Sequence, residues 1–180
     1  MILDIHTHAD TTDPRRVVNY DPTYGAPLPA APVFSAGIHP WHADRADLDA
    51  LRRIAPRAYA IGEAGLDKLR GPSIDVQTPV FVSQARLAEE LGKPLIIHCV
   101  KAWPELIAVR RRLRPTTPWI IHGFRGKPEL AQQLLREGFD ISLGEKFNHA
   151  TRTIIPDGRL YTETDESPLS IDEIRRAVGV

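Results

Sequence analysis

"KPLIIHC" (93–99) and "TPWIIHG" (117–123) almost repeat each other. Each carries a proline where a strand would begin, runs through three apolar positions and closes on a histidine, His98 or His122. The interval between them is the length of one strand-plus-helix unit, so the pair reads as neighbouring parallel strands joined by a crossover helix. Pro104 suits the first turn of that helix, which buries Leu106, Ile107 and Leu113. Pro128 opens the next, with Leu130, Leu134 and Leu135 inward, and Gly92 and Gly138 read as helix stops.

Working outward, short apolar runs recur at 2–5, 16–20, 33–38, 58–62, 95–97, 119–121, 139–143 and 159–164. Eight strands alternating with helical patterns predict an α/β fold of the TIM-barrel (β/α)8 type, spanning 1–180 as one domain. Ser170 and Glu173 form a Ser-x-x-Glu capping box, flanked by Leu169 and Ile174, for a last short helix. The first third departs from the pattern. Few residues follow His8 before the second strand, and "DPTYGAPLPAAP" (21–32) has no helical period. A full barrel takes about 250 residues, so the expectation is a pared-down barrel lacking outer helices around its first strands, with a partial barrel as the alternative. The apolar strand surface left bare there needs cover, from the carboxyl-terminal helix or a partner subunit.

Polar residues gather where strands end. In "ILDIHTHAD" (2–10), Asp4, His6 and His8 alternate onto one strand face. "AYAIGEAG" (58–65) brings Glu63, and "RLYTETDESP" (159–168) brings Glu163 and Asp165. In a parallel barrel every strand's carboxyl end opens on one face, so His6, His8, Glu63, His98, His122 and Asp165 converge there. Four imidazoles and two carboxylates suit borderline ions such as zinc, manganese or iron(II), and can hold two ions if one carboxylate bridges.

Composition bounds the partners. The 23 basic residues balance 23 acidic ones, so no overall field draws the chain to duplex DNA or a membrane. No run approaches the roughly 20 apolar residues of a membrane span. The start shows no secretion signal, and the single Cys99 makes no internal disulfide, which fits a reducing cytoplasm. The expected state is a monomer or small homo-oligomer.

The chain resembles TatD-like metal-dependent hydrolases of the amidohydrolase superfamily. The resemblance rests on "DIHTH" (4–8), "AGIHP" (36–40), "GEAGLD" (62–67), "PLIIH" (94–98), "IIHGFRG" (120–126) and "ETDESP" (163–168), in the family's order. It implies a TIM barrel, two divalent ions (zinc, manganese, magnesium or iron) on those six ligands, and hydrolysis, phosphodiester cleavage in DNA being the best-known activity. A small phosphodiester or a single-stranded DNA end is the expected substrate. Where relatives commonly carry His-Ser-Arg, this chain has His98-Cys99-Val100, then Lys101; where they often read His-Cys-Phe-Ser-Gly, it has His122-Gly123-Phe124-Arg125-Gly126. Phosphate contact is therefore expected at Arg125 and Lys127, beside a helix start.

In this reading Glu63 bridges, His6 and His8 join Asp165 on one ion, and His98 and His122 hold the other. Catalysis falls to Glu63 and Asp165, the latter also taking the proton of the attacking water. His39, in "GIHPWH" (37–42), has a substrate-contact role by resemblance, and His42 lies at the lip. Alternation turns Cys99 away as a packed thiol. The alternatives are an amidohydrolase acting on a non-nucleotide ester, lactone or amide, and a non-catalytic metal-binding module.

Overall fold

The computed structural model describes residues 1–180, and its eight strands lie in one sheet in chain order, each parallel to the next. They are β1 (Asp4–Thr7), β2 (Arg16–Tyr20), β3 (Phe34–Ala36), β4 (Ala60–Asp67), β5 (Leu95–Val100), β6 (Trp119–Ile121), β7 (Asp140–Leu143) and β8 (Leu160–Thr162). The sheet comes round on itself: Thr7 bridges Asp165, the Asp165 N–H donates to the His6 carbonyl at 2.9 Å, and the His8 N–H donates to the Asp165 carbonyl at 3.1 Å. This is the barrel expected from the sequence, closed beyond β8 by a single bridge.

The helices are α1 (Leu48–Ile54), α2 (Ile74–Leu91), α3 (Trp103–Leu113), α4 (Pro128–Arg136), α5 (His149–Arg152) and α6 (Ile171–Val178). Pro104 and Pro128 occupy first turns, where a missing N–H costs nothing. Gly92 ends α2 in the left-handed conformation, and the Ser170–Glu173 capping box opens α6. No α-helix separates β1 from β2 or β2 from β3, as the proline-rich sequence there predicts. The cover differs from expectation. Ala31 of the 21–32 segment belongs to the same buried cluster as Val18, Tyr20 and Phe34, Leu28 packs against that cluster, and the Tyr20 hydroxyl donates to the Ala26 carbonyl at 2.8 Å. The carboxyl-terminal helix α6 lies against β8 instead.

Strand lengths also differ. β4 runs to Asp67, beyond the expected stop at Gly62, because Ala64 to Asp67 pair with Ile97 to Val100 after a register shift. Close approach of the two strands requires glycine: a Cβ on Gly65 would lie 1.8 Å from the His98 carbonyl oxygen. Conversely, β3 and β8 are shorter than their apolar runs. Ile96 and Ile120 share strand faces with His98 and His122 and pack with Ile5, Val17 and Ala60 as a small inner layer beneath them. The larger apolar cluster lies between strands and helices.

Candidate metal centre

Glu63 stands at the centre of the barrel mouth, almost fully buried, and its two oxygens face different histidines. Oε2 lies 3.4 Å from His6 Nε2 and 3.7 Å from His8 Nε2. Oε1 lies 2.8 Å from His122 Nε2, 2.9 Å from His98 Nδ1 and 3.2 Å from His39 Nε2. Asp165 Oδ1 lies 3.7 Å from His6 and 3.6 Å from His8. Three sets of potential ligand atoms result: His6, His8 and Glu63; His6, His122 and Asp165; and His39, Glu63 and His98. The backbone supports this crowding. Glu63 donates its N–H to Asn19 Oδ1 at 2.9 Å, and Asp165 adopts a left-handed φ of 53° that a short polar side chain tolerates.

The outer nitrogens of two histidines are held by further carboxylates. His98 Nε2 meets Asp67 Oδ2 at 3.0 Å, and His122 Nδ1 meets Glu163 Oε1 at 3.2 Å. Asp67 itself is fixed by the Trp41 indole N–H at 2.8 Å and by the backbone N–H groups of Leu69 and Arg70. Gln77 of α2 accepts the Asp67 N–H at 2.7 Å and donates to its carbonyl at 2.8 Å. Carboxylate partners of this kind fix which imidazole nitrogen faces inward.

The electrostatics are those of a tightly coupled cluster. Burial pushes the Glu63 carboxyl up, but His122 and His6 charge and hydrogen bonds from His122 and His39 outweigh it and hold it well below the ordinary range. Burial disfavours the His122 imidazolium, yet Glu63 and Glu163 hold its pKa well above the usual value. His6 is pushed down to about 3, by burial first and then by His122. Burial, with repulsion from Glu163 and Glu63, raises Asp165 despite the opposing His122 and His8.

This donor set fits divalent cations. His6 is completely buried and neither ring nitrogen has a hydrogen-bond partner, an arrangement that a neutral imidazole facing a cation explains and a packed core histidine does not. Five imidazoles around one carboxylate suit a divalent ion that accepts nitrogen ligands.

The residues singled out in the sequence divide as follows. His6, His8, Glu63, His98, His122 and Asp165 come together, and His39 joins them at the start of a 3-10 turn. Arg125 is exposed and, with Lys146, lines a polar recess beside Asp165. Lys127 caps the start of α4 on the surface, outside the recesses at the mouth. His42 lines the mouth, bound to Asp21 at 2.8 Å, and Cys99 packs against the outer cluster, its thiol pushed up to about 12 by burial. Sequence reading passed over Asp67. Its signal was the alternation Glu63, Gly65, Asp67, hidden by ending the strand at Gly62.

A family model described as TatD related DNase matches residues 23–175. An uncharacterized metal-dependent hydrolase of Escherichia coli K12, YcfH, is 34% identical over 151 residues, covering 77% of this chain and 57% of its own length. The 3'-5' ssDNA/RNA exonuclease TatD of Pantoea ananatis is 36% identical over 146 residues, covering 73% and 56%. Among solved structures, a TatD family hydrolase from Entamoeba histolytica superposes with a TM-score of 0.64 at 27% identity, over 73% of this chain and 50% of that one. The E. coli TatD homologue YJJV superposes with a TM-score of 0.68 at 20% identity, over 94% and 81%, a likeness of fold. The chain thus spans little more than half the length of the curated relatives it matches.

Proposed function

The chain belongs to the TatD-related DNase family, and from that premise we propose that it is a metal-dependent hydrolase of phosphodiester bonds at the ends of single-stranded nucleic acid. The observation that carries the proposal is the Glu63 carboxylate with histidines on both oxygens, beside a buried His6 whose nitrogens lack partners. The named activity of the exonuclease relatives supports the choice of substrate.

His6, His8 and Asp165 would hold one divalent ion and His98 and His122 a second, with Glu63 shared between them. Bound there, such ions supply a water whose pKa falls to about 7 and positive charge opposite the phosphodiester oxygens. Asp165 is part-exposed at the mouth, where its carboxylate would stand within reach of an attacking water as the base. Asp67 and Glu163 keep His98 and His122 oriented. His39, against Glu63 Oε1, contacts substrate at the inner edge, and Arg125 offers a cation to the phosphate backbone.

The test is chelator-sensitive release of nucleotides from a labelled single strand. Glu63→Gln and Asp165→Asn should each lower kcat by roughly 100-fold or more while KM changes little, because both carboxylates act in the transition state. Metal-loaded protein that leaves every phosphodiester intact but hydrolyses a lactone or amide would replace this reading with the amidohydrolase one.

A further inference from the structure

The recess that contains Glu63 has a second wall that metal ligation does not use. It encloses about 490 Å3 and extends from the histidines to Asn19, Trp41 and His42. Trp41 is 37% exposed, unusual for so large an apolar ring, yet its position is fixed: it follows Pro40 in a 3-10 turn and its indole N–H donates to Asp67. His42 stands beside it, held by Asp21, with the ring of Tyr24 edge-on at 4.8 Å. Tyr24 is 61% exposed. The exposed Arg70 guanidinium lies 4.9 Å from the Trp41 ring centroid. Inward, the Trp41 ring is 4.5 Å from His39 and 6.0 Å from His98.

A fixed, exposed indole with the Arg70 guanidinium over its ring, on the wall of the recess that holds the candidate ligands, matches one kind of occupant. Nucleobases present flat π-faces, and the phosphates joining them carry the negative charge that Arg70 complements. With 23 basic residues against 23 acidic ones, the chain has no net positive charge to hold a strand by its backbone alone. We propose that Trp41 is the stacking platform for the nucleobase next to the bond that is cleaved, with His42 and Tyr24 extending the aromatic lip and Arg70 contacting the adjoining phosphate. This rests on the nuclease reading and deepens it. In a duplex the same faces are stacked on neighbouring bases, so the lip selects single strands. Stacking tolerates every base, so sequence preference is weak.

The test compares two labelled oligodeoxynucleotides, one intact and one with base-free tetrahydrofuran units at its last positions, titrated against the metal-loaded protein and then followed for cleavage. The parent protein should bind the intact strand about tenfold more tightly. Trp41→Leu should bring the two affinities together, whereas Trp41→Phe, which keeps an aromatic face, should preserve most of the difference. Both variants lose the N–H to Asp67, so a role exercised only through Asp67 and His98 would impair them equally, weaken zinc binding by calorimetry in both, and overturn the proposal. The surface variant Arg70→Gln should weaken both strands and shallow the salt dependence. Equal affinities in a parent that cleaves both strands would overturn the lip and leave the nuclease reading intact. Base-dependent binding without cleavage would support the lip and remove the nuclease reading, and absence of both would remove the two together.

Discussion

The strands β4 to β7 and the strands β1 to β3 with β8 meet the same requirement, cover for the outside of a parallel barrel, by different means. Around β4 to β7 the cover is helical and apolar. Trp119 and Phe139 lie outside the sheet, wholly buried, and Phe81 of α2 meets the Trp119 ring at 5.5 Å. α6 lies against β8, but around β1 the cover is a polar brace. Arg16 bonds Asp4 at 2.9 Å and the hydroxyls of Thr7 and Thr164 at 3.1 Å each, while Thr164 donates to Asp4 through both its N–H and its hydroxyl. Between β2 and β3 it is the proline-rich strap. Both sides supply residues to the same mouth: His6 and His8 come from the braced side, and Glu63, His98 and His122 from the clad one. The mouth needs strand ends, and it does not require a helix behind every strand.

If this contrast is right, damage on the clad side should cost most. Phe139→Ala removes a fully buried ring from the outer cluster and should lower stability by about 3 to 5 kcal/mol in urea unfolding. A loss under 1 kcal/mol would mean the helical layer contributes little more than the strap.

The brace should respond next, and with the opposite chemistry. Arg16→Met leaves the buried Asp4 carboxylate short of a charged partner, at a cost of about 2 to 4 kcal/mol near neutral pH. Burial already raises the Asp4 pKa against the bonds from Thr164 and Arg16, and removing Arg16 raises it further. A carboxyl with a raised folded pKa contributes stability below its unfolded value of about 3.9 and loses it as pH climbs through the folded value. The deficit of Arg16→Met should therefore shrink towards about pH 4, and a deficit independent of pH would show that Asp4 is not the strained group.

Smaller effects separate the strap from the helix ends. Tyr20→Phe deletes the hydroxyl that ties strand β2 to Ala26 and should cost about 1 kcal/mol. Faster amide exchange should be confined to the strap and its strands, and exchange that also rises in β5 and β6 would deny the strap its independence. Ser170→Ala, which breaks the capping box of α6, should cost about 0.5 to 1 kcal/mol. It should leave metal binding unaltered by calorimetry, since α6 lies behind β8.

Much of this was legible in the chain. Proline-opened runs ending in His98 and His122 gave two parallel strands and their order, and His6 and His8 reach one end as expected, whereas Asp4, expected on their face, meets Arg16 and Thr164 because the register shifts within β1. The proline-rich stretch announced its missing helix, since it has no helical period and four of its twelve residues are prolines without an N–H. Less legible were the lengths of strands. The register shift that carries β4 past Glu63 to Asp67 depends on how closely β5 approaches, which Gly62 and Gly65 allow and do not themselves announce. Lys127 shows the limit of proximity in sequence: two residues after Arg125, the chain has turned to start α4 and leaves the mouth.

What the sequence determined by itself was therefore whatever acts over a few residues: strand faces, helix starts and stops, and the polar ends of apolar runs. Tertiary structure decided the pairings. Arg16 reaches Thr164 across 148 positions, His98 finds Asp67 across 31, and Trp41 is set on the lip by that same Asp67 across 26. Local pattern fixes the direction in which a side chain leaves the backbone. The partner it meets depends on barrel closure, which brings β1 against β8 and sets the distances among groups that no short stretch of chain contains.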